Sequence, residues 1–305
     1  MKKLYILMAI IAAFSFCLRA SAQVLPFVAV EHSPVAMARG GASYTDITNT
    51  SYSAFESPAA MSFSHEKMDM SVGYTLWQPQ QVKTNIMNAA GMFKLNDKFG
   101  LAAGFSFGML PSYDITSSTG KVTGTFKPSQ MELGVGFAWR FHENVSLGAN
   151  VGYATNKLAE SVSYSAVVAD VQLMAVFGGL KASLGVSDLG SGVTASSGEK
   201  FSLPTSANLA AGYDAAFADK HSVGVDAVAQ YYFIGDFAAA VGASYTYNDF
   251  VSFRAGYRYG ADSVIPSFAS VGAGVKLAGI KIDMAYLISS TAMANTLCLS
   301  LGYSF

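Results

Sequence analysis

Hydrophobic and polar positions alternate with a period of two along most of the chain. Met68, Met70, Val72, Tyr74 and Leu76 alternate with Asp69, Ser71, Gly73 and Thr75. Met131, Leu133, Val135, Phe137, Trp139 and Phe141 alternate with Glu132, Gly134, Gly136, Ala138 and Arg140. Near the other end, Leu297, Leu299, Leu301, Tyr303 and Phe305 alternate with Cys298, Ser300, Gly302 and Ser304. Such alternation marks strands whose two faces meet different surroundings. It predicts fourteen strands, over 68–77, 83–95, 98–116, 122–141, 144–157, 162–177, 179–188, 205–217, 220–233, 236–247, 250–260, 266–278, 279–289 and 296–305. Strands of about ten residues suit a tilted membrane crossing. An even count is what single-chain bacterial barrels require.

A water-soluble sandwich alternates too, but two features point to a barrel. The polar face is mostly Gly, Ser and Ala, where a wetted surface would carry Lys, Glu and Thr. The mid-strand charges also fall on one parity only: Asp69, Glu132, Arg140, Asp170, Lys181, Asp214, Asp226, Arg254, Arg258, Lys276, Lys281 and Asp283 all sit opposite their strand's apolar set. In a lumen they pair or meet water, whereas on a lipid face each costs a few kcal/mol at mid-depth. The apolar set then faces lipid, and the strands must close to leave no unpaired edge. Tight connections at Asn96-Asp97, His142-Glu143, Gly178, Asp219, Asn248-Asp249 and Ala278-Gly279 alternate with mostly longer ones such as 189–204, 261–265 and 290–295. Outer-membrane barrels show the same asymmetry, with the short turns in the periplasm. Phe141, Phe177, Phe217 and Tyr247 are expected to form an interfacial girdle at the tight turns, and Trp77, Phe233 and Tyr259 the opposite one.

Composition narrows the class further. The 305 residues are 51% hydrophobic and only 13% charged, against about 25% charged in an average soluble domain. The 21 Phe and 16 Tyr exclude a disordered chain. No uninterrupted apolar stretch of about 18 residues occurs, which excludes a helical membrane protein. Lys2 and Lys3, an apolar core from Leu4 to Phe16, and Ala20-Ser21-Ala22 read as a secretory leader over residues 1–22. Bulky Phe16 before Cys17 argues against a lipoprotein site. Losing Lys2, Lys3 and Arg19 takes the 19 basic residues to 16 against 20 acidic ones, so no nucleic-acid partner is expected. Cys298 is then the one remaining cysteine, and no internal disulfide can form.

Residues 23–65 do not alternate, and they contain Pro26, Pro34, Arg39-Gly40-Gly41 and Ser57-Pro58. The stretch is long for a simple lead into the first strand. It reads as a plug or cap inserted in the lumen, with a periplasmic tail as the alternative. Val35, Ala36, Met37 and Ala38 need somewhere to bury, which favours a plug built around Met37, Arg39, Gly40 and Gly41. The chain then divides into a leader (1–22), a plug or cap segment (23–65) and a transmembrane β-barrel (66–305).

Reactive chemistry is sparse. His32, His65, His142 and His221 lie in the N-terminal segment and at turns, and no pair has metal-ligand spacing. The Gly-x-Gly pairs at 134/136 and 272/274 fall inside strands on the lumen parity, with no helix following, so they are not phosphate loops. No Ser-His-Asp set suggests itself. Neither enzymatic activity nor a cofactor is expected. Asp69, Glu132, Arg140, Asp170, Asp214, Asp226, Arg254, Arg258, Lys276 and Asp283 are candidate ligand contacts or, alternatively, a neutralising salt-bridge network.

Several ordered motifs resemble one family. They are Leu25-Pro26-Phe27-Val28-Ala29-Val30, the run Pro34-Val35-Ala36-Met37-Ala38-Arg39-Gly40-Gly41-Ala42, and Ser57-Pro58-Ala59-Ala60-Met61, where Ser57 stands in place of the usual Asn. Tyr74-Thr75-Leu76-Trp77, Ser187-Asp188-Leu189-Gly190 with Leu203-Pro204-Thr205, Phe253–Arg258 and Ser270–Lys276 extend the likeness over most of the chain. The set resembles the PorV/PorQ family, and its N-terminal run is more similar to PorV. The resemblance implies a FadL-like barrel of fourteen strands in the outer membrane of a Bacteroidota-type bacterium. It further implies the shuttle role of type IX secretion, with the translocon, the sortase and the C-terminal signal domains of cargo as protein partners beside the outer-membrane lipid. For a shuttle, the 189–204 loop is the candidate cargo surface, with Val193, Phe201 and Leu203 as apolar anchors. The competing readings are a FadL-like channel for an apolar small molecule and a structural barrel.

Overall fold

The computed structural model describes residues 25–78, 83–190, 192–195, 200–261, 263–289 and 293–305. The leader expected over 1–22 lies outside them. The strands are β1 (Met68–Trp77), β2 (Thr84–Lys94), β3 (Phe99–Met109), β4 (Tyr113–Thr116), β5 (Val122–Phe126), β6 (Ser129–His142), β7 (Val145–Ala159), β8 (Val162–Phe177), β9 (Leu180–Leu189), β10 (Val193–Ala195), β11 (Lys200–Phe201), β12 (Ser206–Phe217), β13 (His221–Tyr232), β14 (Phe237–Tyr247), β15 (Val251–Gly260), β16 (Phe268–Leu277), β17 (Ile280–Ile288) and β18 (Leu297–Ser304).

Fourteen of them pair in chain order, antiparallel throughout, and β1 closes on β18 from Asp69↔Ser304 to Leu76↔Leu297. The wall therefore has no free edge. Each of the fourteen turns large apolar side chains outward, among them Val72, Val135, Leu209, Val241 and Ile282. A continuous apolar belt of this extent is not tolerated in water, so it faces lipid and the molecule is a membrane barrel. The opposite parity is buried, as at Asp69, Ser71 and Thr75 on β1.

Tight turns gather at one end, and two central residues with positive φ shape several of them: Ala218-Asp219, Asn248-Asp249 and Ala278-Gly279. That geometry matches the right-handed twist of the flanking strands. The longer connections lie at the other end, apart from the two-residue turn Glu160-Ser161. Phe141, Phe177, Phe217 and Tyr247 are exposed at the tight-turn end.

Three expectations need correction. Residues 98–116 and 122–141 are not single strands. β3 and β6 pair only as far as Met109↔Ser129, and a separate hairpin of β4 and β5 follows, with Tyr113 opposite Phe126. Pro111 and Pro128 stand at the two breaks, where a missing N–H cannot continue a ladder. Trp77 does not belong to a girdle. It shares the inward parity of Thr75 and packs half-buried against the cluster containing Met37, Phe268 and Leu287. The apolar residues of the 189–204 loop are not displayed outward either. Val193 and Leu203 are buried, and Phe201 packs half-buried beside Tyr164. The loop folds back because β10 adds to β8 at Thr194↔Ser165 and Ala195↔Tyr164, which turns its apolar side inward.

Residues 25–66 pack against inward-facing residues of the strands. The short helix Pro34–Ala38 is buried throughout, starts on a proline and is capped by Ser33, whose Oγ accepts from the Val35 and Ala36 amides. Both features favour a helix start. The inward glycines make room for this segment. A Cβ on Gly148 would come within 2.2 Å of the Ala59 nitrogen, and one on Gly272 within 2.5 Å of the Ala38 Cβ.

Candidate functional site

The lumen is a set of paired charges around residues 25–66. Arg39 follows the helix and reaches two carboxylates. Its Nη1 donates to Asp226 at 2.7 Å, and its Nη2 to Asp46. Thr45 also donates to Asp226. Lys181 Nζ lies 2.6 Å from Asp214 and 4.0 Å from Asp226. The positive φ of Gly40 and Gly41 turns the chain back past β15. Gly40 N donates to Ser270 Oγ, and Ser270 donates in turn to the Ala38 carbonyl.

The other inward charges meet partners of several kinds. Asp69 accepts from Lys281 and from the Thr50 and Ser51 amides. Arg254 pairs with Asp283 at 2.8 Å, and Lys276 with Glu66 at 2.5 Å. Arg258 donates to the Tyr232 hydroxyl at 2.9 Å. Arg140 lies over the Phe63 ring, and Glu132 lies 3.4 Å from His32, which stacks on Phe55. Asp170 accepts from the Asp188 amide and from Asn150. The ten candidate residues share one lumen in small groups: Asp214 and Asp226 meet at Lys181, Arg254 pairs with Asp283, and Asp170 and Arg258 line a common cavity. Gln172 holds Ser57-Pro58-Ala59 by accepting from Ser57 Oγ and the Ala59 amide, each at 3.0 Å.

Periodicity pointed to none of the partners on the segment itself: Glu31, Asp46, Glu56 and Glu66. That stretch has no repeat from which a face can be read. Asp188 was hidden for a related reason, since it sits at the end of β9 with a φ of 56°, where the regular alternation stops.

A small cavity of about 30 Å³ opens at the centre, lined by Glu31, Glu56, Asp170, Asp188, Tyr232 and Arg258. That is room for about two waters. Burial pushes the Glu31 carboxyl up to about 7, against the pull of Arg258, His32 and Arg39. Burial, followed by the neighbouring Glu31, also holds Glu56 well above the usual carboxylate range. Both carboxyls therefore hold a proton more readily than a free carboxyl does. Among the described residues no three His, Cys, Asp or Glu converge as metal ligands.

Two further spaces flank this centre. Toward the tight-turn end, a vestibule of about 360 Å³ is lined by Ser222, Ser244, Thr246, Ser252, Arg254 and Lys276 among others. Toward the long-loop end, the filling is apolar. Leu25 and Val28 are buried against Ala154, Ala166, Val168, Val193 and Leu203, with Phe27 and Tyr164 packed at the margin. Leu25 holds this place with φ at 69° and ψ at 46°, in the left-handed region, which costs a non-glycine residue about 1–2 kcal/mol.

The shape of the whole chain has clear relatives. The Pseudomonas putida toluene transporter TodX superposes with a TM-score of 0.64 over 90% of this chain and 98% of that one, at 14% identity. The Ralstonia pickettii toluene transporter TbuX superposes with a TM-score of 0.60 over 89% and 97%, also at 14% identity. A Pseudomonas aeruginosa FadL homologue superposes with a TM-score of 0.56 over 94% and 100%, again at 14% identity. The fold is that of FadL-like outer-membrane barrels. No family model matches the sequence, and no curated protein does.

Proposed function

We propose that the chain is an outer-membrane channel that admits an apolar small molecule, with residues 25–66 as its plug. One observation carries this reading. The long-loop end of the lumen holds an apolar site already occupied by the chain's own Leu25 and Val28, with Phe27 at its margin. An apolar ligand of similar size substitutes for those side chains without exposing the surrounding Ala154, Ala166 and Val168. The left-handed strain at Leu25 lowers the cost of its leaving. The likeness to toluene transporters supports the same reading at the level of fold.

Passage beyond this site requires the plug to shift, because Arg39, Asp46 and Asp226 close the space below it. The polar vestibule then leads out at the tight-turn end, taken as periplasmic. No catalytic step is part of the proposal. Toluene uptake by vesicles carrying the folded barrel tests it. Leu25→Asp together with Val193→Asp is expected to abolish uptake without changing the folded barrel, and unchanged uptake overturns the reading.

The shuttle reading rests on the PorV/PorQ resemblance. The loop it would use keeps Val193 and Leu203 buried, so cargo would have to lift that loop from β8 first. Capture of a C-terminal signal domain by the barrel, alongside absence of toluene uptake, would favour the shuttle.

A further inference from the structure

The carboxylates of the lumen fall into two groups. Asp69, Asp214, Asp226 and Asp283 on the strands, and Asp46 and Glu66 before them, each lie within 4.0 Å of an arginine or lysine nitrogen. Glu31, Glu56, Asp170 and Asp188 form no such pair among the described residues, and all four line the central cavity. Arg258 is the one arginine or lysine on that described lining, and it already faces Glu31. A Cβ on Gly41 would come within 3.0 Å of Glu31 Oε1 and within 3.4 Å of Arg258 Nη1. His32, the other basic side chain there, is engaged by Glu132 at 3.4 Å. The cavity thus holds more acids than it has cations to meet them.

A second observation points the same way. Gln230 lines the cavity and is only 5% exposed, yet its Oε1 accepts no hydrogen bond, while its Nε2 donates to the Tyr44 hydroxyl at 3.0 Å. A buried acceptor left unmet is costly, so this side of the cavity calls for a donor. Arg258 Nε is the one unmet donor on the same lining, against four carboxyls. The cavity also adjoins the apolar site. Val28 belongs to both, and the inward row of β8 runs from Ala166 and Val168 in the apolar site to Asp170 in the cavity. Val168 and Asp170 are about 7 Å apart along the strand, the scale of one ring bearing an aminomethyl group.

We propose that the molecule taken up is an apolar primary amine, whose body replaces Leu25 and Val28 and whose ammonium enters the cavity between Asp170, Asp188 and Gln230. The inference rests on the channel reading above and names the substrate class. An ammonium brings three donors and a positive charge, which is what two carboxylates and one free acceptor require. The cavity of about 30 Å³ has room for such a head and for little more. A carboxylate head meets like charge there, which is strongly unfavourable, and a bare hydrocarbon leaves the acids as they are.

Calorimetric titration of the folded full chain, in a non-ionic detergent at neutral pH, compares benzylamine, benzyl alcohol and benzoate. Benzylamine is expected to bind at least about tenfold more tightly than either of the others, the scale of one hydrogen bond to a charged group. Asp170→Asn with Asp188→Asn keeps the size of both side chains and is expected to bring benzylamine down to the level of benzyl alcohol. Equal binding of the three compounds, tighter binding of benzoate, or a preference that survives the double substitution would each overturn the proposal. A benzylamine with a diazirine on its ring covers the case in which the variant fails to fold. On the wild type it is expected to label peptides of β7 and β8 and residues 25–31, and labelling confined to the outer belt overturns the site. Vesicle uptake separates this inference from the reading beneath it. Toluene uptake with no preference for the amine in binding overturns the amine site and leaves the channel. Amine binding with uptake of neither compound upholds the site and overturns the channel.

Discussion

Gly256 on β15 lies against the main chain of Arg39. A Cβ at Gly256 would come within 2.1 Å of the Arg39 carbonyl carbon. The wall and the segment inside it are thus in backbone contact at the residue that carries the central ion pairs. Gly256→Val is expected to displace Arg39 while the strand ladder stays closed. Arg39 is buried in the wild type, so trypsin should cut after it only in the variant. Resistance of the folded variant to trypsin would show that the wall does not hold the segment in place.

Arg39 itself offers a second test. Arg39→Met leaves Asp226 buried with only Thr45 and a distant Lys181 as partners. Removing one side of a buried pair costs about 3–5 kcal/mol. The expected result is a marked loss of thermal stability, measured by loss of heat-modifiable migration, and partial recovery when Asp226→Asn is added. Equal loss in the single and double variants would mean that Asp46 is the partner that matters.

The belt predicts a contrast between two positions on β14. Val241 faces lipid near the middle of its strand, while Ser244 lines the vestibule. Val241→Arg is expected to weaken insertion by about 2–4 kcal/mol, the cost of arginine at mid-depth. Ser244→Arg is expected to insert normally. Folding titrations in lipid vesicles compare them, and the reverse order would place the register one residue off.

Glu31 makes the packing of the segment depend on pH. Its carboxyl is raised from 4.5 to about 7 by burial, so folding favours the proton. The stabilisation from the protonated form is complete below about pH 4.5 and is lost as pH rises through 7. Hydrogen exchange at residues 25–35 is expected to quicken between pH 5 and 7.5 relative to the strands, and Glu31→Gln is expected to flatten that change. A pH-independent difference would rule out Glu31 as the responsive group.

Alternation alone located the barrel. A strand between lipid and a packed lumen must carry opposite chemistry on its two faces, so Met68–Leu76 and its counterparts announce both their structure and their orientation. Asp69, Asp226 and Arg258 were readable as inward for the same reason. Their partners were not. Arg39 meets Asp226 across 187 residues of chain, and no local pattern encodes such a distance. The breaks at Pro111 and Pro128 could be suspected from missing N–H groups, but the separate hairpin they delimit depends on where β3 and β6 stop pairing. The 189–204 loop shows the limit most plainly. Val193, Phe201 and Leu203 look like exposed anchors among Gly and Ser. Whether they point outward or inward was decided by β10 pairing with β8 and by Leu25 arriving from the far end of the sequence. Burial of apolar side chains is a property of whatever surface comes to meet them, and only the closed barrel brings those surfaces together.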